Sequence, residues 1–139
     1  MTRDEALKTL RAAGLRLTGP RRTILEALLD AAGPLSAEDI HTRTGKDGPP
    51  SDLSTVYRNL NTFVEAGLLD TLPGANGERR YAVRRADALG LRLVCLDCGK
   101  VLSLPEADLR HVGRAAARQG FDPLSVTLAA HCSDLCEAQ

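Results

Sequence analysis

The placement of the cysteines constrains this chain more than any other feature. All four fall after residue 94, as Cys95-Leu96-Asp97-Cys98 and Cys132-Ser133-Asp134-Leu135-Cys136. A C-x2-C with a distant C-x3-C suits a tetrahedral zinc, which accepts four thiolates. No apolar run approaches the roughly 18 residues of a membrane span. The start, Met1-Thr2-Arg3-Asp4-Glu5, has no apolar stretch of the kind a secretory leader needs. A cytoplasmic location is therefore expected, where disulfides rarely persist and clustered thiols read as metal ligands. Two other readings stay open at this point: four unrelated buried thiols, or a redox dithiol. A structural zinc would contribute folding energy on the order of 10 kcal/mol. The part it would tie together has about 50 residues, few for a self-sufficient core.

Ahead of the cysteines the chain reads as helices followed by a hairpin. Thr2 to Glu5 has the form of a capping box, with Ala6, Leu7 and Leu10 at helical spacing and Gly14 as the stop. Thr18 caps a second helix that tolerates Pro20 in its first turn and carries Ile24, Leu25 and Leu28. Ser36 caps a third, with Glu38 and Asp39 where the helix dipole favours them. Gly45 to Pro50 reads as a loop. A fourth helix is expected from about Ser51 to Ala66, with Leu53, Val56, Leu60, Phe63 and Val64 on one face. Strands at Leu68–Leu72 and Arg79–Val83 flank a Pro73–Gly77 turn. This order predicts a winged helix over residues 1–84, a hinge at 85–90 and a smaller α/β part over 91–139, an α+β protein. In the smaller part, strands at Leu91–Cys95 and Lys100–Leu104 surround a Cys turn. A helix from Pro105 to Gln119, with Leu109, Val112 and Ala116 inward, precedes a last strand at Leu124–Ala130.

The outer face of the fourth helix carries Ser54, Thr55, Tyr57, Arg58 and Asn61. These are groups that read a major groove: Arg reaches guanine or phosphate, Asn pairs with adenine, and an aromatic meets the thymine methyl. An ordinary solvated face has the same periodicity. Its position just before a hairpin favours a recognition helix. Leu15 to Arg22 holds three arginines, Arg16, Arg21 and Arg22, beside a helix start suited to phosphate. The whole chain has net charge zero, so any DNA contact must come from such a local basic face. Residues 1–85 carry 13 Lys/Arg against 11 Asp/Glu and residues 86–139 carry 5 against 7, a mild asymmetry in the same direction. No nucleophile–base pair, Gly-rich phosphate loop or three-ligand zinc site marks the chain as an enzyme or gives it a small-molecule substrate.

These segments together resemble the ferric-uptake-regulator (Fur) family. The resemblance is carried by Ala13-Gly14-Leu15-Arg16-Leu17-Thr18 with Pro20-Arg21, by Leu35-Ser36-Ala37-Glu38-Asp39-Ile40, by Leu53-Ser54-Thr55-Val56-Tyr57-Arg58-Asn59-Leu60, and by Cys95-Leu96-Asp97-Cys98-Gly99-Lys100-Val101. It spans residues 5 to 136. It implies a homodimer built on a C-terminal dimerisation domain, binding palindromic AT-rich operators in double-stranded DNA and usually repressing. It also implies one structural zinc per chain on Cys95, Cys98, Cys132 and Cys136, with Tyr57 and Arg58 on base-reading and backbone-contacting positions. Arg16 falls on a position that enters the minor groove.

The chain departs from the family where a second, regulatory metal would bind. The His-rich run expected before the first Cys is here Arg85-Ala86-Asp87-Ala88-Leu89-Gly90-Leu91-Arg92. Gly33-Pro34-Leu35, Ser103 and the Ser125-Val126 pair stand where further ligands are usual. His41 and His111 read as surface residues, and His131, beside Cys132, as a neighbour or alternative ligand of the zinc. Asp87, Glu106 and Asp108 do not assemble into an evident sphere. Two alternatives follow: a zinc-stabilised protein-interaction module, or a thiol-redox-responsive regulator without a second metal.

Overall fold

Each of the first four helices starts at a side chain that satisfies its otherwise orphaned amides. In the computed structural model, which describes residues 2–47, 52–84, 90–104, 110–121 and 125–131, Thr2 and Glu5 form a reciprocal capping box at α1 (Arg3–Ala12). The Glu5 amide donates to Thr2 Oγ1 at 3.2 Å and the Thr2 amide to Glu5 Oε2 at 2.7 Å. Thr18 caps α2 (Gly19–Asp30) with Pro20 in the first turn. Ser36 and Asp39 exchange the same pair of bonds, at 3.1 and 3.2 Å, where β1 (Leu35–Ser36) passes into α3 (Ala37–Asp47). This helix runs through Gly45, where the sequence suggested a loop. One glycine costs only about 1 kcal/mol in a helix, which tertiary packing overrides. The next helix, α4 (Leu53–Glu65), is capped by Asp52 rather than entered from Ser51, which lies outside the described residues.

Gly67, in the left-handed region at φ 80°, turns the chain from α4 into β2 (Leu69–Pro73). A 3-10 turn, Ala75–Gly77, leads into β3 (Arg79–Val83). The two strands are neighbours in a sheet of order β1-β3-β2, in which Leu35 pairs with Tyr81 and Ser36 with Arg80. The two-residue β1 was absent from the sequence reading. Val56, Leu60 and Phe63 of α4 pack with Ile24, Leu25 and Leu28 of α2, Ile40 of α3, and Leu68, Leu69 and Tyr81 of the hairpin. Burying such a side chain contributes about 1.5–3 kcal/mol. Helices and hairpin share one core, the arrangement of a winged helix. Asp70, buried on β2, pairs with the half-buried Arg84 at 2.8 Å.

The chain divides into two compact units, Met1–Leu72 with Arg79–Arg84, and Pro73–Glu78 with Arg85–Gln139. The turn between β2 and β3 thus groups with the second unit. Most of the hinge proposed at 85–90 lies outside the described residues.

The second unit contains β4 (Gly90–Cys95), β5 (Val101–Leu104), α5 (Arg110–Arg118) and β6 (Ser125–Ala130), with strand order β5-β4-β6. β4 runs antiparallel to β5 and parallel to β6, which requires a crossover such as the one containing α5. Residues 105–109, where the sequence opened this helix, lie outside the described residues. Val94 and Cys95 are the buried hydrophobic residues among those described from β4 onward. Val112 was expected to face inward. It is instead 44% exposed, with Leu128 49% and Phe121 70% exposed. Among the described residues, nothing covers these apolar side chains.

Candidate nucleic-acid interface and metal ligands

The start of α4 is fixed by Asp52, whose Oδ1 accepts from the Thr55 amide at 2.8 Å and from Thr55 Oγ1 at 2.7 Å. The hydroxyl bond, then the amide bond, hold the Asp52 carboxyl below its ordinary range. With Val56, Leu60 and Phe63 buried, the opposite face leaves Ser54, Tyr57, Arg58 and Asn61 exposed. Thr55 is half-buried and its hydroxyl already serves the cap. The exposed set offers a guanidinium, an amide, a hydroxyl and an aromatic ring within two turns of one helix. That is the chemistry of base-edge readout.

Side-chain contacts tie this helix to its surroundings. Tyr57 donates its phenol to Glu38 Oε1 at 3.1 Å. This bond is the main reason its pKa is raised, with burial and the Glu38 charge adding to it. The Asn59 amide nitrogen donates to the Thr55 carbonyl at 3.1 Å, and its oxygen accepts from Arg21 Nε at 3.3 Å. The same Arg21 donates through Nη1 to the Arg16 carbonyl at 2.8 Å. Arg21 therefore spends two of its donors inside the protein, while Arg16 is exposed. Arg16 rims a groove of about 460 Å³ together with Arg3, Arg11 and Arg22, over a floor that includes Leu15 and Leu17. Among the described residues, Arg3 is the member of this set with a carboxylate partner, Glu26 at 2.9 Å.

Sequence reasoning missed Glu38, Asp52 and Asn59 as parts of this surface. Asp52 had a usable signal, a capping residue type directly ahead of the apolar stripe. The other two act through contacts across 19 and 38 positions, which no local pattern encodes.

On the second unit, Cys95 ends β4 and is buried, while Cys98 is half-buried. Their turn closes through Gly99 N–H to the Cys95 carbonyl at 2.9 Å and Cys95 N–H to the Lys100 carbonyl at 2.9 Å. Gly99 sits at φ 75°, where a residue with a Cβ would be strained. Cys95 is in register with Ala130 of β6, and the Leu96 amide donates to the Ala130 carbonyl at 2.8 Å. One residue on, His131 Nδ1 and Asp97 Oδ2 are hydrogen-bonded at 3.0 Å. Cys132 and Cys136 lie outside the described residues, as do Asp87, Glu106 and Asp108. Among the described residues no three His, Cys, Asp or Glu side chains gather as a metal site. His41 is half-buried on α3 and His111 exposed on α5.

Comparison with known proteins gives a consistent picture. The family model described as "Ferric uptake regulator family" matches residues 12–131. The chain is 33% identical over 113 residues to the peroxide operon regulator of Bacillus subtilis, covering 81% of this chain and 77% of that protein. It is 33% identical over 129 residues to the zinc uptake regulation protein of Mycobacterium tuberculosis, covering 88% and 96%. Among solved structures, the ferric uptake regulator of Pseudomonas aeruginosa with manganese superposes with a TM-score of 0.71 at 29% identity, covering 90% of this chain and 96% of that one.

Proposed function

Because the chain belongs to the ferric uptake regulator family, whose members are transcription regulators and not enzymes, we propose that it is a homodimeric, sequence-specific repressor of palindromic AT-rich operators, stabilised by one structural zinc per chain. The observation that carries this reading is the exposed face of α4. Ser54, Tyr57, Arg58 and Asn61 stand together on a helix whose other side is locked into the core, directly ahead of the β2–β3 hairpin. Arg58 and Tyr57 read the major groove. Arg16 and its neighbours on the basic groove meet the minor groove and the phosphates, which fix register.

The zinc reading rests on the register of the second unit. β6 runs parallel to β4 and delivers its end to the C-x2-C turn, so Cys132 follows two residues after the partner of Cys95. The Asp97–His131 bond joins the two Cys segments at that place. Cys95, Cys98, Cys132 and Cys136 would hold the metal, and four thiolates complete a closed structural site. Such a metal supplies cross-linking, not catalysis. A unit this small gains stability from such a staple.

The homodimer reading rests on the apolar surface of the same unit. Leu102, Val112 and Leu128 are each more than two-fifths exposed, and exposed apolar groups of this kind mark association surfaces. No described helix is long and apolar enough to cross a membrane, and the site of action proposed is cytoplasmic DNA.

The direct test is Arg58→Ala. Operator affinity should fall with fold and zinc content intact. A base contact would lose about 1–3 kcal/mol at one base pair, whereas a phosphate contact would weaken all sequences alike and flatten the salt dependence. Unchanged affinity would remove α4 as the reading element.

A further inference from the structure

We propose that Glu38 is a specificity-determining residue of the DNA-reading surface, acting as the positioning residue for Tyr57; the inference rests on the DNA-binding reading above. The phenol of Tyr57 and the carboxylate of Glu38 are 3.1 Å apart across two helices, and Tyr57 is 39% exposed. Both ends of this bridge are anchored independently. Glu38 sits in the first turn of α3, between the buried Ala37 and Ile40, where Ser36 and Asp39 lock the helix start. Tyr57 sits in the second turn of α4, whose start is locked by Asp52 and Thr55. A phenol held between two fixed helix starts keeps its ring in one orientation before DNA arrives. The cost of ordering that side chain is then met in the free protein and not at binding. The bond to Glu38 also raises the Tyr57 pKa from its ordinary value.

The charge of Glu38 has a second consequence. A carboxylate beside a polyanion is repelled by every sequence alike, so its presence weakens binding to all duplexes uniformly. A bond from a phenol to a carboxylate is also stronger than one to a neutral acceptor. Glu38 thus lowers affinity for all duplexes alike, which leaves their ratio unchanged, while it holds the ring that recognises one base step, and that second effect raises discrimination.

The test uses the full zinc-loaded chain. The wild-type protein first selects a palindromic duplex from a randomised library, and affinities are then measured for that duplex, its single-base-pair variants and a scrambled duplex. Glu38→Ala should lower the ratio of selected to scrambled affinity by about tenfold, with the loss concentrated at the base step under Tyr57. Glu38→Gln, which keeps an acceptor oxygen, should retain the preference at that step while raising affinity for the scrambled duplex. In a Tyr57→Phe background, where no phenol remains to be held, Glu38→Ala should leave the preference at that step unchanged within about twofold. The inference is overturned if Glu38→Ala keeps the wild-type preference, if Glu38→Gln loses it as fully as Glu38→Ala, or if the loss persists in the Tyr57→Phe background. A wild-type protein that selects no duplex at all refutes the DNA-binding reading itself, and is thereby distinguished from failure of the Glu38 inference.

Discussion

Arg21 Nε donates to Asn59 Oδ1 at 3.3 Å while the same guanidinium holds the Arg16 carbonyl at 2.8 Å. One side chain therefore brackets the loop that presents Arg16 to the helix that presents Tyr57 and Arg58. Spacing within the DNA's two grooves is fixed, so a protein that reads both must hold its two reading elements at a fixed separation. A 1 Å error in placement is enough to lose a bidentate contact.

Arg21→Ala is expected to reduce operator affinity through Arg16. The loss should be largely absent when Arg16→Ala is already present, because the two act as one unit. A double-mutant cycle on operator affinity measures this. Fully additive losses would make Arg21 an independent phosphate contact, and the salt slope would then fall by roughly 0.9 for its removal.

Asp52 gives α4 a pH dependence with a definite sign. Its carboxyl is depressed in the folded state by the two Thr55 bonds. The stabilisation is therefore fully present above the unfolded value of about 4 and is lost as pH falls through the lower folded value. Asp52→Asn keeps a capping oxygen without the charge. Its thermal unfolding should match the wild type less closely near neutrality and more closely in acid. Asp52→Ala should be the less stable variant at neutral pH. A wild-type and Asn variant with parallel stability profiles through the acid range would show that the cap carries no charge-dependent part.

Purified protein should contain one tightly held zinc per chain. Cys95→Ser or Cys132→Ser should abolish it, dissociate the dimer and unfold the second unit, because the metal free energy is folding free energy. Metal analysis, sedimentation and circular dichroism read the three effects together. Either variant remaining folded, dimeric and zinc-free would remove the structural-zinc proposal.

DNA affinity should not depend on added Fe²⁺, Mn²⁺ or Zn²⁺ once the structural site is filled. Gating requires a ligand that binds one conformation better than another. The run before Cys95 offers Arg84, Arg85 and Arg92 and no imidazole. Arg84 is committed to the buried Asp70 at 2.8 Å. Cations brought to guanidinium groups meet repulsion. Titrating metal into zinc-retaining protein bound to its operator is the check, and a shift of about tenfold at micromolar metal would establish a second site.

The parts of the structure written locally were readable from sequence. Thr2 with Glu5, Ser36 with Asp39, and Gly67 after the α4 stripe are signals that lie within one turn of what they determine. The hairpin strand Arg79–Val83 and the tight Cys95–Gly99 turn are of the same kind. What escaped was set by distant partners. β1 exists because Leu35 meets Tyr81 across 46 positions. Glu38 and Asn59 acquire their roles only once α3, α2 and α4 have packed. Val112 was expected to face inward and is exposed: the pattern of a helix records that a face is apolar, not which surface covers it.

The central claim, that α4 makes this chain a sequence-specific DNA reader, is tested most directly by one binding measurement. The affinity of the wild-type protein is compared between a palindromic AT-rich duplex that it has selected and a scrambled duplex of equal composition, across a range of salt. The account predicts that the selected duplex binds at least about 10³-fold more tightly. It also predicts that log affinity falls linearly with log salt for both. Equal affinity for the two duplexes at every salt concentration would contradict it.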